Sequence, residues 1–270
     1  MTVHTKVGGA WKDVANANMF VKQGGDWENV VAGYVKVGGA WKQFHTGSNP
    51  VTYTFIANRS RSFRHSANAW STTPGVGTSL RIGVFSGSSN TPYVGIFGFS
   101  VMQNGGLTLA QALAERPYIT NVNPTGGTAE NYIEFERRAG GIGNNNTYGT
   151  YYIARYNGDT TDSTPDADDL NFTGSFSKSV SGSSPFGSDG VLVGDKLKFD
   201  MNGSSANRTK MQTFVDHADT NPLAFANKNS ISDVKATLGS GSADTEYAAY
   251  EGESEGYPPK LVITLDYVSA

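Results

Sequence analysis

Few side chains in this chain are arranged for chemistry, and the densest group is acidic. Asp159, Asp162, Asp166, Asp168 and Asp169 fall within one Thr/Ser/Pro-rich stretch. Clustered carboxylates on such a loop can supply the roughly six to eight oxygens that Ca2+ prefers. Asp162, Asp166 and Asp168 are therefore the candidate calcium ligands, although the spacing is not that of an EF-hand and an acidic surface loop is the commoner outcome of such a run. Glu134 and Glu136 stand two apart on an alternating segment, hence on one face, as paired carboxylates of glycoside chemistry require. Ile133 and Phe135, alternating with them, occupy the inward positions, so a solvated face is the reading preferred. Sugar recognition needs aromatic rings beside amides or hydroxyls. Trp70, Asn145 and Tyr148 form that candidate set, the loop Asn144-Asn145-Asn146-Thr147-Tyr148 foremost, with Tyr151 and Tyr257 as further rings. No nucleophile elbow, phosphate loop or zinc helix motif occurs, and there is no cysteine. His4, His45, His65 and His217 have no ligand spacing, and His217 beside Asp216 reads as part of a solvated helix face. The expectation is a protein that is not an enzyme and has no cofactor beyond a calcium candidate.

The elements that would position these residues begin with a repeat. Thr5-Lys6-Val7-Gly8-Gly9-Ala10-Trp11-Lys12 recurs as Val21-Lys22-Gln23-Gly24-Gly25-Asp26-Trp27-Glu28 and again as Val35-Lys36-Val37-Gly38-Gly39-Ala40-Trp41-Lys42. Adjacent glycines between strand-forming residues mark a tight hairpin, because the turns that suit twisted strands need positive φ. A two-residue loop sets Lys6 opposite Trp11, Lys22 opposite Trp27 and Lys36 opposite Trp41, where a lysine stem covers an indole. A three-residue loop would instead oppose Lys36 to Lys42, a like-charge pair. Units this small rarely bury an apolar face alone. Residues 1–44 are accordingly expected to serve attachment or assembly, by self-association or by docking onto a partner, rather than by stacking on the segment that follows. These six Lys and Trp residues are the candidate assembly set.

Residues 45–50 read as a linker, closed by Pro50, and residues 51–270 as the body. Alternating or continuous apolar runs predict strands at 51–56, 80–85, 93–101, 132–137, 151–156, 196–200 and 260–265. Helices are expected at 108–116 and 210–218, the second with Met211, Phe214, Val215 and Ala218 on one stripe. Many short strands with one or two short helices predict an all-β protein, its body a jelly roll or β-sandwich. The 33 glycines and thirteen tyrosines among 270 residues suit short strands joined by many turns around an aromatic core. A net charge of −3 leaves no electrostatic footprint for nucleic acid. Met1-Thr2-Val3-His4-Thr5 lacks the organisation of a secretory signal, and no run is long enough for a membrane span. The chain is expected to be made in a cytosol, or to have had its signal removed.

Two resemblances add to this reading. The segment Tyr247-Ala248-Ala249-Tyr250 through Gly256-Tyr257-Pro258-Pro259-Lys260-Leu261-Val262-Ile263-Thr264 is similar to the ending of DNRLRE-type jelly-roll domains. The acidic-arginine-leucine segment near the start of those domains has no counterpart here. The Lys, Gly-Gly and Trp repeats resemble those of bacteriophage tail-fibre and other minor virion proteins. Together the resemblances imply a virion protein, made in the host cytoplasm, with an attachment segment and a displayed β-domain. Its implied partners are other virion proteins, further copies of itself in a homotrimer, and host surface glycans. The competing readings are a carbohydrate-binding module of a secreted bacterial protein and a glycan-depolymerising enzyme using Glu134 and Glu136.

Overall fold

The computed structural model describes residues 4–7, 10–13, 20–23, 25–30, 32–46, 48–66, 69–72, 79–85, 91–102, 106–137, 149–157, 170–180, 194, 196–202, 205–226, 248–252 and 256–267. Three antiparallel hairpins come first, each its own two-stranded sheet. They are β1 (His4–Val7) with β2 (Ala10–Asp13), β3 (Phe20–Gln23) with β4 (Asp26–Asn29), and β5 (Ala32–Val37) with β6 (Ala40–Thr46). β6 runs through His45 and Thr46, so the strand extends two residues into the stretch that composition marks as a linker.

The body then runs through β7 (Val51–Ser66), β8 (Ala69–Thr72), β9 (Ser79–Phe85), β10 (Thr91–Met102), α1 (Leu109–Glu115), β11 (Tyr118–Ile119) and β12 (Tyr132–Glu136). It continues through β13 (Gly149–Tyr156), β14 (Leu170–Val180), β15 (Lys196–Asp200), α2 (Ser205–Thr220), β16 (Leu223–Ala226), β17 (Ala248–Glu251) and β18 (Lys260–Asp266). Its strands join in one antiparallel sheet whose main path is β14-β13-β16-β10-β7-β18-β12-β15. This is the all-β fold with two helices that the patterning predicts, and the sheet curls until it is nearly closed like a barrel.

Phenylalanine explains the curl. Phe135 of β12 stacks on Phe225 of β16 with ring centroids 4.4 Å apart. It also meets Phe97 of β10 and Phe199 of β15 edge-on, at 5.0 and 5.9 Å. β16 and β12 are four strands apart along the sheet, so their rings touch only because the sheet folds back over its own interior. All four rings are fully or almost fully buried. Register shifts between β10 and β7 at Gly98, Phe99 and Val101 are the bulges that let these long strands bend.

The helices close the interior. Thr108 caps α1, accepting from the Gln111 amide while the Gln111 side chain accepts from the Thr108 amide, a complete capping box. α2 buries the predicted stripe of Met211, Phe214, Val215 and Ala218, but begins five residues before the expected start. Gln212 holds α2 to the sheet, accepting from the Ile119 amide at 2.8 Å and donating to the Pro117 carbonyl at 2.9 Å.

Candidate docking surface

The third hairpin shows how the repeat works. Gly38 and Gly39 have φ of +61° and +85°, the two positive values that a two-residue turn demands and that a Cβ would resist. That turn fixes the register: Val37 pairs with Ala40, Lys36 with Trp41 and Val35 with Lys42. The Lys36 ammonium lies 6.0 Å from the centroid of the Trp41 ring, at the outer reach of a cation–π contact. Trp41 is 69% exposed and Tyr34, on the same face, is 56% exposed. Two large rings are thus left in water on so small an element, which makes this face an exposed apolar patch and not a core.

The other hairpins share this register. Lys6 pairs with Trp11, and Lys22 pairs with Trp27. Two residues further from each turn, His4 pairs with Asp13, Phe20 with Asn29, and Tyr34 with Gln43. Because successive strand positions alternate between faces, these registers put the positions of a ring, a lysine, a tryptophan and a carboxyl or carboxamide on one face of each hairpin. The Lys–Trp pairing was legible in the sequence. The outer pair becomes recognisable only once the register is known, because its residue types vary between copies.

The segment between the third hairpin and β7 is held by the body at Ser48 and Asn49. The buried Asp266 carboxylate at the end of β18 accepts from Ser48 Oγ at 2.6 Å and from the Asn49 amide at 2.7 Å. Arg116, also buried, donates from Nε to the Asn49 carbonyl at 3.2 Å and from Nη1 to Tyr53 Oη at 3.2 Å. Its guanidinium lies 4.5 Å from the Tyr267 ring centroid and ion-pairs with Glu115. Residues 48–49 are thus gripped from two elements. Sequence reasoning missed Asp266 and Arg116, whose partners are remote along the chain.

Comparison of the chain with protein-family models, with curated proteins and with solved structures found no match. The surface must therefore be read from its own chemistry.

The remaining sequence candidates are distributed as follows. Glu134 and Glu136 share the outer face of β12, alternating with buried Ile133 and Phe135. Glu136 ion-pairs with Lys196 directly across the strand pair, and Glu134 accepts a hydrogen bond from Tyr257 Oη. Lys196 and Lys260 ammonium groups lie 3.0 and 3.5 Å from the Tyr257 ring centroid. Burial, and then the bond to Glu134, push the Tyr257 phenol above its ordinary pKa. The two carboxylates belong to a cross-strand lattice of charges and rings, and Tyr257 is its centre.

Tyr151, a candidate sugar ring, is fully buried and meets Phe225 edge-on at 6.0 Å, so it belongs to the core. His217 is half-buried, not on a solvated face; its Nε2 lies 2.9 Å from the Tyr156 carbonyl and 3.2 Å from the Pro222 carbonyl. Burial outweighs those bonds and lowers its pKa, with Arg155 acting in the same direction. Trp70 stands in β8 opposite His65. Asn145, Tyr148, Asp162, Asp166 and Asp168 lie outside the described residues. Among the described residues no three His, Asp or Glu side chains converge as metal ligands, and no helix is long and apolar enough to cross a membrane.

Proposed function

We propose that this chain is a structural, non-enzymatic protein of a bacteriophage particle, a tail fibre, adaptor or surface fibre, that docks and assembles through its three amino-terminal hairpins. The observation that carries this reading is a single face repeated in register three times, with Trp41 and Tyr34 exposed where it is described. Exposed tryptophan and tyrosine are the ring types that anchor protein interfaces. Three copies of one contact on a single chain multiply its strength through high effective concentration. The β-body, folded around its own phenylalanine core, faces outward and is available to host glycans. The assembly is a homotrimer, made in the host cytoplasm and carried on the virion. The test is incorporation of a chain lacking residues 1–44 into particles. The expected result is a soluble, folded body absent from purified particles; incorporation at the level of the full chain would refute the docking role.

A further inference from the structure

The three hairpins agree on one face and disagree on the other. On the face opposite the tryptophans, the charged positions are Lys12 in the first hairpin, Asp26 and Glu28 in the second and Lys42 in the third. The first and third faces are basic and the middle one is acidic. A face that contacted only water or one common partner would have no reason to invert its charge in the middle copy while keeping the tryptophan face constant. Inversion is what mutual packing of unlike repeats requires.

We infer that the acidic face of the middle hairpin packs on the basic face of the third hairpin in a neighbouring copy of this chain, closing the oligomer as a ring. The inference rests on the assembly role proposed above and names the contact. Contact between like repeats would set Lys42 against Lys42. A cyclic ring instead needs two different, complementary patches on each copy, and the second and third repeats supply them. The connection between these two hairpins argues for a neighbour rather than the same chain. β4 ends at Asn29 and β5 begins at Ala32. Three Cα steps span at most about 11 Å, whereas sheets packed face to face lie about 10 Å apart. The chain would have to cross that gap straight, with nothing left for a turn at either end. The third hairpin is preferred to the first because its strands have six and seven residues against four and four, which gives it the larger face. It is also the hairpin nearest in sequence to the body, whose Asp266 holds Ser48 and Asn49.

The experiment is light scattering on the purified full chain and on face exchanges. D26A/E28K gives the middle repeat the residue types of the third, and A40D/K42E does the reverse. Wild type is expected at three times the 28.7 kDa chain mass, and each exchange alone at the single-chain mass. The combined exchange restores the trimer, and K12E leaves the mass of wild type unchanged. Mixing the two single-face exchanges in equal amounts gives assemblies with an even number of copies, because only alternating rings then match. A monomeric wild type, an exchange that holds the wild-type mass, a K12E variant that dissociates, or a combined exchange that stays monomeric would overturn the inference. So would a mixture that stays monomeric, which would place the contact within one chain. The purified chain is measured alone, so these failures leave docking onto other virion proteins standing; that reading fails only in the particle experiment.

Discussion

Asn131 offers the sharpest test of how the body is held together. It is fully buried just before β12, where the main-chain ladder between β12 and β18 ends at Tyr132 and Val262. Its carboxamide continues that ladder. Oδ1 accepts from the Thr264 amide at 2.7 Å, and Nδ2 donates to the Thr120 carbonyl at 3.0 Å and to Asn202 Oδ1 at 2.9 Å. Asn131→Ala strips a partner from the Thr264 amide and the Thr120 carbonyl, both within residues that are almost wholly buried. A buried polar group deprived of its partner costs about 1–3 kcal/mol, so the two together cost about 2–6 kcal/mol. Against a typical total of about 5–15 kcal/mol, that loss is severe. With a urea m value of about 2–3 kcal/mol/M, the unfolding midpoint falls by roughly 0.7–3 M, read by circular dichroism. Asn131→Asp keeps the acceptor for Thr264 and loses both donors, so it is destabilised at pH 7 and recovers part of the loss as acidification neutralises the buried carboxyl. An Asn131→Ala midpoint corresponding to less than about 1 kcal/mol would refute this account of the carboxamide.

Other perturbations separate the parts of the molecule. The folded pKa of His217 is lowered, so its neutral form is favoured in the native state. Its contribution is complete above the unfolded value of about 6.5 and is lost as pH falls from there through the lowered folded value. His217→Gln keeps an N–H for the Tyr156 and Pro222 carbonyls, and its unfolding free energy should fall less steeply than wild type between pH 7 and pH 5. Asp266→Ala removes the carboxylate that accepts from Ser48 Oγ and the Asn49 amide, with an expected cost of about 1–3 kcal/mol and faster amide exchange at residues 48 and 49; unchanged exchange there would remove the clamp. Gly38→Ala with Gly39→Ala forces two side chains into positive φ, costing of order 1–2 kcal/mol per residue, and should open the third hairpin, read as lost exchange protection across residues 32–46 with the body intact.

The hairpins were legible because glycine pairs dictate positive φ, and a two-residue turn leaves one register open. The strands of the core were legible where alternation is clean, as in Ile133 and Phe135 of β12. β16 escaped notice because Leu-Ala-Phe-Ala is buried on both faces, Leu223 and Phe225 toward the main core and Ala224 and Ala226 toward the smaller cluster behind the sheet. A four-residue continuous apolar run carries no period that separates strand from helix. The second half of β7 was hidden by polarity, since Ser60 and Ser62 hold buried positions that a sequence reading assigns to water. β14 is rich in Ser and Thr, turns through Gly174 at φ +74°, and pairs with β13 across a register shift. The Lys–Trp pairs of the candidate surface follow from local turn chemistry. Asp266, Arg116 and Asn131 work through partners 63 to 218 residues away, apart from short local contacts, and no local rule reveals them.

The central claim is that the tryptophan faces of the hairpins attach this protein to the particle. The most direct measurement is the copy number on purified particles of the full-length chain carrying W11A/W27A/W41A, with W70A as the control from the body. The account predicts that W70A is incorporated like wild type and that the triple variant is absent from particles although its body is folded. Wild-type copy numbers for the triple variant would contradict the claim.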